Sequence, residues 1–193
     1  MVNKIEKKKF VILVWPSGSW KDTIRLKLEK EFWFKNLIST TSRFKRKGEI
    51  NGVSYNFITK EKFEEKIKKG DFLEYVNYNW NYYGKDIENI KPLIEKEESI
   101  ITILEKEWIK SILDKKAFFT KYNYDIIIIF LDITEDTIKE RMLARGDDIE
   151  TINKRIKNND IWYFQEVKSF TKNIINANQP ENIVYNEIKK ILK

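Results

Sequence analysis

The chain has 193 residues, 41% of them apolar and 35% charged, a formal net charge of +7, and neither cysteine nor histidine. That length supports one domain with a substantial core and small inserts. The composition excludes a disulfide framework, thiolate or imidazole metal sites, and histidine acid–base catalysis.

The longest apolar run, Ile126–Leu131, is far too short for a membrane span, and the lysine-rich N-terminus has no apolar stretch before a cleavage site. A cytoplasmic protein without a membrane partner is the expectation. The lysines are dispersed and form no stripe, so the positive charge predicts no nucleic-acid partner. Nothing in the sequence sets an oligomeric state.

In chain order, Phe10–Val14 reads as a short buried strand. It runs into Trp15, Pro16, Ser17, Gly18, Ser19, Trp20, Lys21, Asp22 and Thr23. With glycine in place of both tryptophans this stretch is GPSGSGKDT, a phosphate-binding loop. Glycine there supplies positive φ and lets backbone N–H groups close around phosphate oxygens. Asp22–Phe32 follows as a helix with Ile24, Leu26, Leu28 and Phe32 among its apolar positions. Beyond Leu37 the chain turns polar, with Lys47-Gly48-Glu49 and Asn51-Gly52 as turn signals. Lys60–Lys69 is a predicted helix, and Phe72–Tyr83 is aromatic and extended.

Ile100–Leu104 reads as a second buried strand, Glu107–Leu113 as a helix, and Ile126–Leu131 as a strand apolar on both faces, as in a parallel sheet. Thr134–Ala144 is a helix with Thr134 as its N-cap. A further helical stretch spans about Glu150–Val167, Asn173–Ile175 is a last strand, and Glu181–Leu192 closes the chain as a helix. Strands alternating with helices behind such a loop predict an α/β fold, a parallel sheet flanked by helices with its ligand at the strands' carboxyl ends.

Four separated segments, in order, resemble guanylate kinase, a P-loop nucleoside monophosphate kinase family. The first is the loop. The second, Ser39 to Tyr55, is similar to S-x-x-T-R-x-x-R-x-G-E-x-x-G-x-x-Y, with Ser39, Arg43, Arg46 and Tyr55 matching and Ser42 in place of a threonine. The third is Phe72-Leu73-Glu74 followed by Trp80-Asn81-Tyr82-Tyr83-Gly84, similar to F-[LI]-E and G-N-Y-Y-G. The fourth is Arg141-Met142-Leu143-Ala144-Arg145-Gly146 with Arg155 beyond, similar to a lid segment.

The resemblance implies transfer of the γ-phosphate of ATP to GMP with Mg²⁺. It implies a GMP-binding insert over about residues 38–93 and a lid near 145–158. Residues 15 to 23 and Asn176 would form the ATP site, with Lys21 on the β/γ-phosphates and Asp22 or Thr23 on the metal. Ser39, Arg43, Arg46, Tyr55 and Tyr83 would hold the GMP phosphate, and Glu74, Lys85 and Glu105 would face guanine. Arg141, Arg145 and Arg155 would reach the transferring phosphate. Forked guanidinium donors suit a phosphate dianion, and phosphoryl transfer asks chiefly for positioning and charge neutralisation.

The sequence departs from the family at several points. Asp22 stands where a serine or threonine usually binds magnesium, an ending shared with a ribose-bisphosphate kinase relative that leaves another acceptor open. Lys85 replaces a serine or threonine at guanine. Glu105 replaces an aspartate, Ile103 another carboxylate, and the lid is one residue short. Trp15, Trp20, Trp80 and Trp108 all fall on family glycines, and Trp33 falls just past a helix, where a glycine cap is natural; only Trp162 lacks a glycine counterpart. Glycine and tryptophan number six each, together twelve, where a glycine usage of roughly 7% would give about thirteen. Two readings follow. Either the gene writes glycine as UGA, and these positions were translated as tryptophan, or the chain is an inactive relative that binds a phosphorylated partner.

Overall fold

The computed structural model describes residues 7–14, 20–78, 80–104, 106–158 and 166–193. The side chains of Lys21, Asp22, Tyr78, residues 106–108, Lys154, Arg155 and Asn158 lie outside that description. The larger sheet has the strand order β2-β7-β1-β8-β9, built from β1 (Lys8–Val14), β2 (Lys35–Asn36), β7 (Ile100–Ile103), β8 (Tyr124–Asp132) and β9 (Asn173–Asn176). Pairing of β2 with β7 and of β8 with β9 is parallel. β1 is the middle strand, and Phe10 to Val14 are sealed from solvent. An uninterrupted apolar run is what a strand covered on both faces requires.

The chain divides into two compact units. The first comprises Met1–Phe10, Trp33–Thr102 and Glu107–Ile126. It carries a second sheet of order β4-β3-β6-β5, from β3 (Thr40–Thr41), β4 (Asn56–Phe57), β5 (Phe72–Tyr78) and β6 (Asn81–Asp86). The segment expected to be extended from Phe72 to Tyr83 is therefore a hairpin, with Tyr78 opposite Asn81. α2 (Lys60–Lys69) is capped by the Thr59 hydroxyl on the Lys62 N–H and ended by Gly70 at φ 71°. Its Phe63 stacks between Phe72 and Tyr82 at centroid distances of 4.2 and 5.2 Å. Gly84 is needed for room, since a Cβ there would meet the Glu74 carbonyl oxygen at 2.7 Å.

The second unit comprises Val11–Phe32, Ile103–Lys106 and Ile127–Lys193. It holds α1 (Lys21–Phe32), α6 (Glu135–Ala144), α7 (Ile149–Asn158) and α8 (Glu181–Leu192). In α1, Ile24 and Leu28 are buried, whereas Leu26 is exposed. Two residues rotate a helix by about 200°, so Leu26 cannot share their face. Thr134 caps α6 as expected, its hydroxyl accepting from the Thr137 N–H. The helical stretch expected over 150–167 appears as α7 and a helical turn at 166–169; residues 159–165, Trp162 among them, are outside the description.

Three features stand out, the first two of them unanticipated. α3 (Ile87–Glu95) contains Pro92, which usually argues against a helix because it removes a bond in the ladder. Asp86 caps it, and Ile90 and Ile94 bury one face. α4 (Lys106–Asp114) is followed by a short α5 (Lys116–Lys121). The third is conformational. Four described residues other than glycine have positive φ, and two of them are tryptophans, Trp33 at 59° and Trp80 at 64°. Trp33 follows α1 directly, and Trp80 lies in the two-residue turn of the β5–β6 hairpin. Both indoles are exposed, at 78% and 84%, so no burial offsets the left-handed backbone. Positive φ is uncommon for bulky residues and is the usual reason for a glycine after a helix or in a tight hairpin.

Candidate functional site

The first unit gathers most of the residues expected around GMP. Arg43 lies just beyond β3, its side chain largely buried, and its guanidinium grips Glu49 with two hydrogen bonds of 2.7 and 3.1 Å. The same guanidinium sits 5.4 Å from the Tyr55 ring and 5.6 Å from the Phe57 ring. Tyr55 and Tyr83 meet edge to face with centroids 6.0 Å apart. Glu49 holds the Arg43 guanidinium above its usual range, and Tyr83 adds to the effect. The pairing and an Arg46 N–H hold the Glu49 carboxyl at about 2. The Arg46 side chain is exposed, while its backbone N–H donates to Glu49 at 2.7 Å. One carboxylate thus fixes the arrangement of both arginine positions, a role the sequence reading did not give it.

Glu74 leaves β5 opposite Lys85 of β6. Both are buried, and neither Glu74 carboxylate oxygen has a hydrogen-bond partner. Burial pushes the carboxyl up to about 8, against the pull of Lys85 and Lys115. Lys85 Nζ donates to the Leu37 carbonyl at 2.7 Å and to Ser39 Oγ at 2.8 Å, so Ser39 is tied to a residue expected to face guanine. Lys115, between α4 and α5, donates to the carbonyls of Phe72 and Leu73. It was not anticipated, since a lone lysine between helices carries no motif. Tyr82 stacks on Phe63, and its hydroxyl donates to Glu64 at 3.3 Å, a packing role. Glu105 is outside the described residues.

In the second unit, residues 15–19 lie outside the description, as do the side chains of Lys21 and Asp22. Thr23 is exposed in the first turn of α1. Arg141 on α6 donates to the carbonyls of Ala177 and Gln179 at 2.8 and 3.1 Å, and its guanidinium lies 4.9 Å from the Trp20 ring. Its Nη1 is buried and unpaired. An unsatisfied guanidinium nitrogen is costly in a protein interior, and a phosphate oxygen would relieve it. Arg145 pairs with Asp147 and is exposed. Arg155 is on α7, its side chain undescribed. The Asn176 side chain accepts from Asn178 at 3.0 and 2.9 Å at the end of β9. Of the expected triad of arginines, the side chains described are those of Arg141, held through Nη2 alone, and Arg145, occupied by Asp147. A depression lined by Lys27, Lys30, Glu31, Asn182, Tyr185 and Asn186 shares no residue with either cluster.

Comparisons with known proteins bear on the chain as a whole. The family model described as guanylate kinase matches residues 7–193. A guanylate kinase of Clostridioides difficile is 34% identical, over 97% of this chain and 92% of its own length. One of Mycoplasmoides gallisepticum is 32% identical over 94% and 90%, and one of Clostridium tetani 35% over 76% and 67%. Among solved structures, the guanylate kinase of Anaplasma phagocytophilum superposes with a TM-score of 0.67 at 20% identity, covering 96% of this chain and 85% of that one.

Proposed function

The chain belongs to the guanylate kinase family, and we propose the division of labour by which it moves the γ-phosphate of ATP onto GMP to give ADP and GDP. The observation that carries the acceptor assignment is Glu74, a buried carboxylate with two unpartnered oxygens. Guanine offers neighbouring N1–H and exocyclic N–H donors that satisfy both, and adenine does not. Arg43, Tyr55 and Tyr83 form the phosphate end of that pocket, with Arg46 reaching in from the exposed side. When GMP arrives, its phosphate competes with Glu49 for the Arg43 fork, exchanging one charge-assisted pair for another.

The donor side is the loop of residues 15–23 with Asn176. Lys21 draws charge from the β/γ-phosphates, and Arg141 offers its unpaired Nη1 to an incoming phosphate oxygen. Among the described residues no cluster of three acidic, histidine or cysteine side chains could hold a metal alone. Magnesium beside a nucleotide needs only one or two protein oxygens, the rest coming from phosphates and water. The exposed hydroxyl of Thr23 fits that demand, and the Asp22 carboxylate is the other candidate. Bound there, Mg²⁺ supplies neutralisation of phosphate charge. Residues 38–93 act as the acceptor insert and residues 145–158 as the lid. No helix among the described residues is long and apolar enough to cross a membrane, and we assign the protein to the cytoplasm.

The test is ADP formation that depends on GMP. Glu74→Gln should weaken GMP use while leaving ATP affinity intact; equal GMP use by Glu74→Gln would remove the base assignment.

A further inference from the structure

Phe72 lies opposite Asp86 and Glu74 opposite Lys85, so β5 takes two steps, Leu73 and Glu74, where β6 takes one. That irregularity is a β-bulge, a device that re-aims the side chains beside it. Phe72, Leu73 and Glu74 are all buried, and Tyr75 is exposed. β5 is also an edge strand of its sheet. At the bulge the carbonyls of Phe72 and Leu73 both accept from Lys115 Nζ, the first at 3.0 Å. Lys115 is partly buried in the turn between α4 and α5. Its helices are firmly seated: Ile109, Ile112 and Phe119 are sealed from solvent, and the Phe119 ring lies 4.6 Å from that of Phe10 in β1. The ammonium therefore reaches the bulge from a packed base.

We propose that Lys115 is a positioning residue for the acceptor site: its ammonium fastens the β5 bulge through the Phe72 and Leu73 carbonyls and so fixes the face of the strand from which Glu74 meets its ligand. This rests on the assignment of Glu74 to the GMP base.

Side chains of a strand alternate between its two faces, so one residue more or less before Glu74 decides which face carries it. A bulge interrupts the ladder, and main-chain groups near it need partners from elsewhere. An ammonium has three donors and no acceptor, and it supplies two such carbonyls with charge-assisted bonds. Methionine at 115 would fill similar space and offer neither oxygen a donor. The competing form is a β5 slipped by one residue, with Glu74 turned to the opposite face. Lys115 thus acts on the acceptor site through the main chain, without touching the ligand.

The experiment measures GMP dissociation constants by calorimetry on the full chain, for the parent, Lys115→Met, Lys115→Arg, Glu74→Gln and the double variant of Lys115→Met with Glu74→Gln. Lys115→Met should weaken GMP by about tenfold or more, the scale of lost hydrogen bonds to a charged group, and Lys115→Arg should stay close to the parent. In the Glu74→Gln background the same Lys115→Met change should matter by less than about twofold, because the group it positions is already gone. A loss by the same factor in both backgrounds would mean that Lys115 only supports packing, and overturns the proposal. So does an unweakened Lys115→Met beside a weakened Glu74→Gln. If Lys115→Met does not fold, Lys115→Gln keeps a single amide donor and must show a smaller loss with the same dependence on Glu74. Unchanged GMP affinity in Glu74→Gln would instead sink the base assignment, and the proposal with it.

Discussion

Arg43 and Glu49 are joined by a two-pronged ion pair inside the cluster assigned to the GMP phosphate, at 2.7 and 3.1 Å. The carboxylate prearranges the guanidinium and also occupies it. Arg43→Ala should weaken GMP binding by about a hundredfold, the scale of losing a bidentate charged contact. Glu49→Gln should cost less, about tenfold, because the arginine survives without its orientation. Titration of GMP into both variants checks the order. The Glu49 carboxyl sits at about 2, so the pair should persist to well below neutral pH.

Glu74 makes stability depend on pH in an unusual direction. Its carboxyl is raised to about 8 from a usual 4.5, so the folded chain holds a proton that the unfolded chain has lost. The native state then binds more protons across that interval, and stability falls as pH rises, by up to about 1.4 kcal/mol per unit. The contribution is complete below about pH 4.5 and gone above about pH 8. With no histidine in the chain, no imidazole titration obscures it. Urea midpoints from pH 5 to 8 should drop in the parent and stay nearly flat in Glu74→Gln.

Exchanging a tryptophan for glycine usually weakens a protein, yet Trp33→Gly and Trp80→Gly should be neutral or stabilising by about 1 kcal/mol each. Relief of a left-handed backbone is worth roughly 1–2 kcal/mol, less the entropy glycine adds to the unfolded chain. Both indoles lie outside the core, so little burial is forfeited. Thermal melts of the two single variants decide the matter. A fall of more than about 1 kcal/mol in either would mean the indole is held by contacts.

For the loop, the variant with glycine at 15, 20, 80 and 108 should use ATP at least about a hundredfold more efficiently than the chain as written, by the scale of a disrupted phosphate cradle. Codons read TGG at these positions would exclude the recoding explanation, and TGA would support it.

The neighbouring tyrosines should separate cleanly. Tyr82 stacks on Phe63, so Tyr82→Phe should leave GMP kinetics unchanged. Tyr83 edges onto Tyr55 beside Arg43, so Tyr83→Phe should raise KM for GMP several-fold, about the loss of one hydrogen bond.

Much of this was legible in the sequence because apolar runs and caps are local facts. Phe10–Val14, Lys60–Lys69 and Glu181–Leu192 follow from periodicity, and Thr134 from its place before a helix. α3 was hidden by Pro92, and β2, β3 and β4 are two-residue strands that exist only through their partners. In the site, the motif supplied Arg43 and Glu74. It could not supply Lys115, which comes to the carbonyls of Phe72 and Leu73 by tertiary placement alone, nor the hold of Glu49 on Arg43. The left-handed backbone at Trp33 and Trp80 was foreshadowed by glycine-like positions and became a geometric fact only with φ angles of 59° and 64°.

Gly84 touches no substrate in this account, yet a Cβ there would strike the backbone oxygen of Glu74 at 2.7 Å and the side chains of Phe72 and Tyr75 at 3.0 Å. The strand that carries the carboxylate assigned to the base is spaced by the absence of a methyl group. An alanine at 84 is thus a remote lesion: every ligand-contacting residue would remain in the sequence, and base discrimination would fail because its ruler had been lengthened.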